Sequence, residues 1–201
     1  MKSNTNTKKG FTLIELLIVI AILAILATVV LIVINPVQMF AQARDSQRIY
    51  DMSTLSSATG LYLTTVKLAS LDVGDGGVGE GVCGTNFWAT VAGVTSPFVI
   101  VSSNQNTLHA GSRSINGSGW IPIPFSDISG GSPISALPID PINNTTYFYA
   151  YSCNDTSKWF EYDAHMESDK YKNGGSDNVE STDGGDNLNE YEVGNAPGLN
   201  L

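Results

Sequence analysis

Only ten lysines and arginines stand against nineteen aspartates and glutamates in this 201-residue chain, a net charge of −9. Such a surface repels phosphate backbones and excludes a general nucleic-acid binder, although Arg44, Arg48 and Lys67 leave room for a local basic patch. Histidine is nearly missing: His109 and His165 are the two present, with no H-E-x-x-H and no G-x-S-x-G. Zinc-protease and nucleophile-elbow chemistry therefore have no carrier, and no catalytic residue is expected. Cysteine is confined to Cys83 and Cys153, too far apart for a C-x-x-C metal pair. Outside the cytoplasm the natural use of two such thiols is a disulfide; inside it, both would serve as small buried apolar side chains.

Charge is also missing from one long stretch, apart from a single residue. "FTLIELLIVIAILAILATVVLIVI", residues 11–34, carries only Glu15. As a helix it spans about 36 Å, enough to cross the hydrocarbon core of a bilayer. Lys2, Lys8 and Lys9 precede it, which predicts a cytoplasmic N-terminus and an external remainder. That topology favours the disulfide for Cys83 and Cys153. A secretory signal peptide would have a shorter apolar run closed by a small-residue cleavage site. A plain anchor fits the length but leaves Glu15 unexplained, because a carboxylate inside a membrane helix is costly unless it is paired or snorkels to the interface.

Beyond this run the composition turns to Gly, Ser, Asn, Thr and Asp, interrupted by short apolar segments. Asn35-Pro36 predicts a kink or local melting, since proline lacks the amide hydrogen and clashes with the preceding turn. From Pro36 to about 68 the pattern is amphipathic. Ile49, Met52, Leu55, Tyr62 and Val66 form an apolar stripe, with Arg44, Asp45, Arg48 and Asp51 read as lying between its members and Gly60 as a weak point. "LDVGDGGVGEG" (71–81) contains a formal G-x-G-x-x-G at Gly74, Gly76 and Gly79. It follows a helix rather than a strand and is read as a turn, not a dinucleotide site. Phe87–Val94 reads as a short helix or strand and Phe98–Ser103 as a strand. "YFYAYSC" (147–153) and "KWFEYDAHM" (158–166), joined by "NDTS", read as a hairpin. The acidic, glycine-rich tail reads as a solvated loop ending in an edge strand near Tyr191–Val193. The triplet Asn143-Asn144-Thr145 is the kind that arises by chance in an Asn/Thr-rich chain.

"KKGFTLIELLIVIAILAILA" resembles the class III leader and N-terminal helix of type IV pilins and of type II secretion pseudopilins. "LPIDPINNTTYFYAY" is similar, more loosely, to the Pro-Asp-Pro turn before a hairpin in pseudopilins. The resemblance implies an α+β, type IV pilin-like fold, with a long N-terminal helix on a small antiparallel sheet. It divides the chain into a leader (1–10), a transmembrane and filament-core helix (11–35), an amphipathic half-helix (36–68) and a globular sheet domain (69–201). It implies cleavage between Gly10 and Phe11 by a prepilin peptidase, N-methylation of Phe11, and an assembly role for Glu15. In this picture Glu15 of one subunit meets the Phe11 amine of the next. Pro36 would be the helix-bending proline, a few residues later than its most familiar place in the family. The implied partners are membrane lipid, sister subunits in a helical filament, an assembly ATPase and an inner-membrane platform protein. The implied locations are the cytoplasmic membrane first and a periplasmic or extracellular filament later. Calcium is the one cofactor implied, and Asp183, Asp186 and Glu190 are the tail's candidate ligands. The competing expectation is a membrane-anchored external binding or enzymatic domain that never polymerises.

Overall fold

The computed structural model describes residues 10–73, 83–98 and 104–201. Its chain divides into two compact units, Met1–Phe40 and Ala41–Leu201.

In the first unit, α1 runs from Leu13 to Ile34 and buries no residue. Its start is a capping box written in the sequence as T-x-x-E. The Thr12 hydroxyl accepts the Glu15 amide, and the Glu15 carboxylate takes the Thr12 amide in return. Two amide hydrogens that the helix start would otherwise leave unpaired are thereby satisfied. α1 stops at Asn35, whose backbone is left-handed (φ 43°), a conformation asparagine tolerates better than most side chains. Pro36 is then the first residue of α2 (Pro36–Thr65), a position where its missing amide hydrogen costs nothing. The expected interruption thus falls at Asn35, and Pro36 opens the next helix.

In the second unit α2 continues from Ala41. Seven of its buried positions, Ala41, Asp45, Arg48, Met52, Leu55, Thr59 and Tyr62, alternate four and three apart, and Asp51 and Ala58 flank them. This is the spacing of one helix face. Asp45 and Arg48, expected between the apolar residues, lie on the buried face itself. Helix formation continues through Gly60.

That face packs on a five-stranded sheet of β1 (Asn86–Ala89), β2 (Asn104–Asn106), β3 (Tyr149–Asn154), β4 (Trp159–Ala164) and β5 (Tyr191–Gly194), in the order β2-β1-β3-β4-β5. β1 and β2 pair in parallel; every other pairing is antiparallel. The whole is an α+β arrangement consistent with a pilin-like fold. The β3–β4 hairpin and the β5 edge strand occur where the sequence placed them. Of the ambiguous Phe87–Val94 run, Phe87–Ala89 lies in β1 and Thr90–Val94 is in neither helix nor strand. Of the expected strand Phe98–Ser103, Phe98 is in no strand and residues 99–103 lie outside the described residues, as do the three glycines of the G-x-G-x-x-G.

Side chains alternate across the sheet. Tyr149, Tyr151 and Cys153 of β3, with Phe160, Tyr162 and Ala164 of β4, join Met52, Leu55, Ala58 and Tyr62 in the main core. Tyr151 and Tyr162 stack at 5.0 Å between ring centroids. Tyr149 and Tyr162 keep their hydroxyls satisfied by reaching the helix. Tyr149 donates to Asp51 at 2.8 Å, and the Tyr162 and Thr59 hydroxyls share a hydrogen at 2.7 Å. The opposite sheet face carries a second core of Phe87, Ala89, Ala150, Phe98, Ala196 and Leu201. The C-terminal residues therefore cover the sheet surface that the helix leaves open.

Cys83 and Cys153 form a disulfide, which ties the segment ahead of β1 to central strand β3 across 70 residues. Replacing both by serine is expected to lower unfolding stability by up to about 4 kcal/mol, the chain-entropy value for such a loop. Urea denaturation of the full chain in detergent would read this as an earlier midpoint, with a slope somewhat steeper because the uncrosslinked unfolded chain exposes more surface. An unmoved midpoint would show that the crosslink constrains nothing.

Candidate functional site: the α1 terminus and the charged core

Gly10 and Phe11 are exposed at the head of α1. Phe11 is 76% exposed, and the apolar residues after it are open along the whole helix, from Leu13 at 82% to Val33 at 78%. Glu15 is the sole charge in α1. Its Oε2 accepts the Thr12 amide at 2.8 Å and the Thr12 hydroxyl at 2.6 Å. Thr12 is the functional residue that the sequence reading passed over, and T-x-x-E was the signal for it. The geometry holds one carboxylate at the top of an apolar cylinder, one turn from the residue that follows Gly10.

The second unit contains a buried ion network instead of a basic patch. Arg48 is fully buried; its guanidinium meets both Asp140 oxygens, at 2.6 and 3.0 Å, and Asp45 at 2.7 Å. Tyr147 lies beneath it at 5.0 Å. Burial pulls the guanidinium toward deprotonation, and the bonds to Asp140 and Asp45 more than offset this, so its pKa lies above the ordinary arginine value. Both carboxylates are saturated: Asp140 also accepts the amides of Ile142 and Asn143, and Asp45 those of Glu167 and Ser168. Arg44 pairs with Glu167, whose carboxyl this bond holds below its usual range. Arg44 and Arg48 are therefore consumed inside the fold, and only Lys67 of the three expected patch residues is exposed. The network fastens α2 to the Pro138–Pro141 turn and to the chain leaving β4, and Asp140 is the acid of the "LPIDP" segment.

The tail's three expected cation ligands have different surroundings in the structure. Asp183 is engaged by the backbone amides of Gly185 and Glu192, at 3.1 and 2.8 Å. Glu190 lies 3.4 Å from His165 and raises the imidazole pKa. Asp186 is exposed. A tighter group forms from residues that the sequence reading placed only in strands. Glu161 and Asp163 of β4 and Glu192 of β5 are each buried to 2% exposure or less, and one carboxylate oxygen from each lies within 4.8 Å of the others. The register produces this group. Glu161 and Asp163 are two apart on β4, hence on one face, and Asp163 sits directly opposite Glu192. The signal was E-x-D in one strand facing a glutamate in the next, legible only once the pairing was known. Burial pushes all three carboxyls upward in pKa, and the neighbouring acids, Asp186 among them, add to the shift.

Residues 5–31 match the family described as the prokaryotic N-terminal methylation motif. This is the class III signal-peptide segment typical of type IV pilins and pseudopilins, and it implies processing by a prepilin peptidase. No curated protein and no solved structure matches the chain. The matched segment is therefore similar to the N-terminal region of type IV pilin-like proteins, a family of structural subunits. Its apolar helix fits membrane anchoring.

Proposed function

We propose that this protein is a structural subunit of a type IV pilus-like filament, held in the cytoplasmic membrane with its N-terminus inside and polymerised through α1 after cleavage between Gly10 and Phe11. The observation that carries this reading is α1 itself: 22 residues, none buried within the subunit, one charge. So much apolar surface requires a cover. Lipid covers it in the membrane, and neighbouring α1 helices cover it in the filament, so transfer from one to the other never exposes it to water.

Glu15 gives the filament its axial register. Cleavage frees the Phe11 amine, which remains cationic after methylation. Buried among apolar helices, a lone ammonium and a lone carboxylate are both strongly penalised, and each offsets the other when they pair between subunits. Within the single subunit Glu15 is held by Thr12, so assembly exchanges an intrachain cap for an interchain ion pair. An assembly ATPase and a membrane platform protein supply the work of extraction. The reading covers a short secretion pseudopilus and a longer surface pilus. Electron microscopy of sheared surface and periplasmic fractions, with labelling against the 41–201 region, tests it. Labelled fibres in either fraction are expected and also identify which filament it is. Labelled material that remains entirely monomeric and membrane-bound contradicts polymerisation.

A further inference from the structure

We propose that Glu161, Asp163 and Glu192 form a calcium site that clamps β5 and the C-terminal segment onto β4. Four buried side chains on one sheet face converge there with unspent acceptor capacity. Among the described residues, Glu161 Oε2, both Asp163 oxygens, Glu192 Oε1 and the hydroxyl of Ser152 have no hydrogen-bond partner. Ser152 belongs with them because it pairs across β3–β4 directly with Glu161. Buried carboxylate oxygens without a donor cost several kcal/mol as anions, and native structures rarely leave them so. Five such atoms in one patch call for a shared positive partner, and no lysine or arginine is paired with any of them among the described residues.

The donor set selects the cation. Every donor is a hard oxygen, with no nitrogen or sulfur among the unpartnered atoms, which favours calcium or magnesium over zinc or copper. Calcium bonds oxygen at about 2.4 Å, so opposite ligands in its shell lie about 4.8 Å apart; magnesium closes the same span to about 4.2 Å and demands octahedral geometry. The triad's oxygens lie within 4.8 Å of one another, inside calcium's span, and carboxylates fixed by strand register suit calcium's flexible shell better than a strict octahedron. The loop ahead of β5 also approaches the group closely. A Cβ on Gly185 would fall 1.9 Å from Glu192 Oε2, so glycine there lets the loop press against the carboxylate. Asp186, exposed in the loop next to Gly185, adds negative charge to the surroundings of all three carboxyls. The cluster also explains what holds the tail down. Ala196 and Leu201 pack in the core on that same sheet face.

The site is independent of polymerisation and is tested on the full chain in detergent, stripped with chelator and then titrated with calcium chloride. One ion per chain is expected by calorimetry. Calcium at about a hundred times its dissociation constant should raise the melting temperature by about 5–10 °C for a chain of this size. Magnesium at the same concentration should do much less. Asp163→Asn should abolish the calcium response while melting no lower than the stripped wild type, because it removes one of the repelling charges. That separates loss of the site from failure to fold. Asp177→Asn, which alters a surface acid paired with Lys170 at 3.0 Å, should respond like the wild type. Identical melting of the wild type with chelator and with calcium overturns the proposal and leaves a triad that keeps its protons. An equal response to magnesium overturns the assignment to calcium, and a full calcium response in Asp163→Asn overturns the assignment to these residues.

Discussion

Glu15→Ala and Glu15→Gln subunits are expected to accumulate in the membrane at normal levels and to yield almost no filament. The two variants divide the residue's roles. Glu15 both completes the helix cap with Thr12 and supplies the charge for the neighbour's Phe11 amine. Glutamine retains most of the cap, since Gln serves at this position of a capping box as Glu does; alanine removes the carboxylate's half of the box and leaves the Thr12 hydroxyl on the residue-15 amide, at a cost below about 1 kcal/mol. Both remove the charge. Neither harms the subunit in lipid, because a carboxylate in a membrane helix is itself a cost. In the filament both leave an ammonium without its partner, a penalty larger than the lost pair alone. Glu15→Asp should assemble in part, since the shorter side chain reaches the amine only if the helices shift. The ratio of subunit in sheared filaments to subunit in membranes reads all three. Normal filament from Glu15→Gln with none from Glu15→Ala would show that the residue acts as a cap, and normal yield from both would make it a snorkelling interface residue.

Arg48→Met should destabilise the 41–201 unit by about 3–5 kcal/mol, the usual consequence of removing one partner from a buried ion network. Methionine fills much of the arginine's volume, so the loss is electrostatic more than a matter of packing. Asp45 and Asp140, both buried, would be left as anions held only by backbone amides. Adding Asp45→Asn and Asp140→Asn to Arg48→Met should recover part of the loss, because the unpaired charges disappear while an amide oxygen still accepts from the backbone. Urea denaturation of the full chain measures both steps. A loss below about 1 kcal/mol for Arg48→Met, or a further loss on neutralising the acids, would mean that the network is not what fastens α2 to the Asp140 turn.

The contrast between Arg48 and Glu15 describes what was legible in the sequence. Glu15 could be read because its surroundings are local: an unbroken apolar run, a basic leader and a glycine. The same holds for Asn35-Pro36, for the β3–β4 hairpin, and for the edge strand ending in Gly194, all of which depend on short-range pattern. The role of Arg48 could not be read. It lies on the inner helix face at a correct three-and-four spacing, but a charge there looks like an interruption until Asp140, 92 residues away, is known to meet it. Binary pattern separates polar from apolar and does not reveal that a polar group has been paid for by a distant partner.

Strand β2 failed to show for a different reason. Asn104-Gln105-Asn106 has little intrinsic strand preference; its order comes from parallel pairing with β1 and from Gln105, whose side chain bonds Val91, Gly93 and Val94 of the loop after β1. The carboxylate triad combines both difficulties. The tail's acids drew attention because they cluster in sequence, whereas Glu161, Asp163 and Glu192 cluster through register. Glu180 follows the same rule. It looks like one more tail acid, yet it is buried and organises its loop by accepting the amides of Met166 and Asn173.

The account rests most directly on the junction between Gly10 and Phe11. Intact-mass and N-terminal peptide mass spectrometry of the native protein, taken from membranes and from sheared filaments, examines that junction alone. A chain beginning at Phe11 and carrying one added methyl group is the predicted result in both fractions. A chain that keeps residues 1–10 in assembled material, or is cut elsewhere along α1, would contradict it.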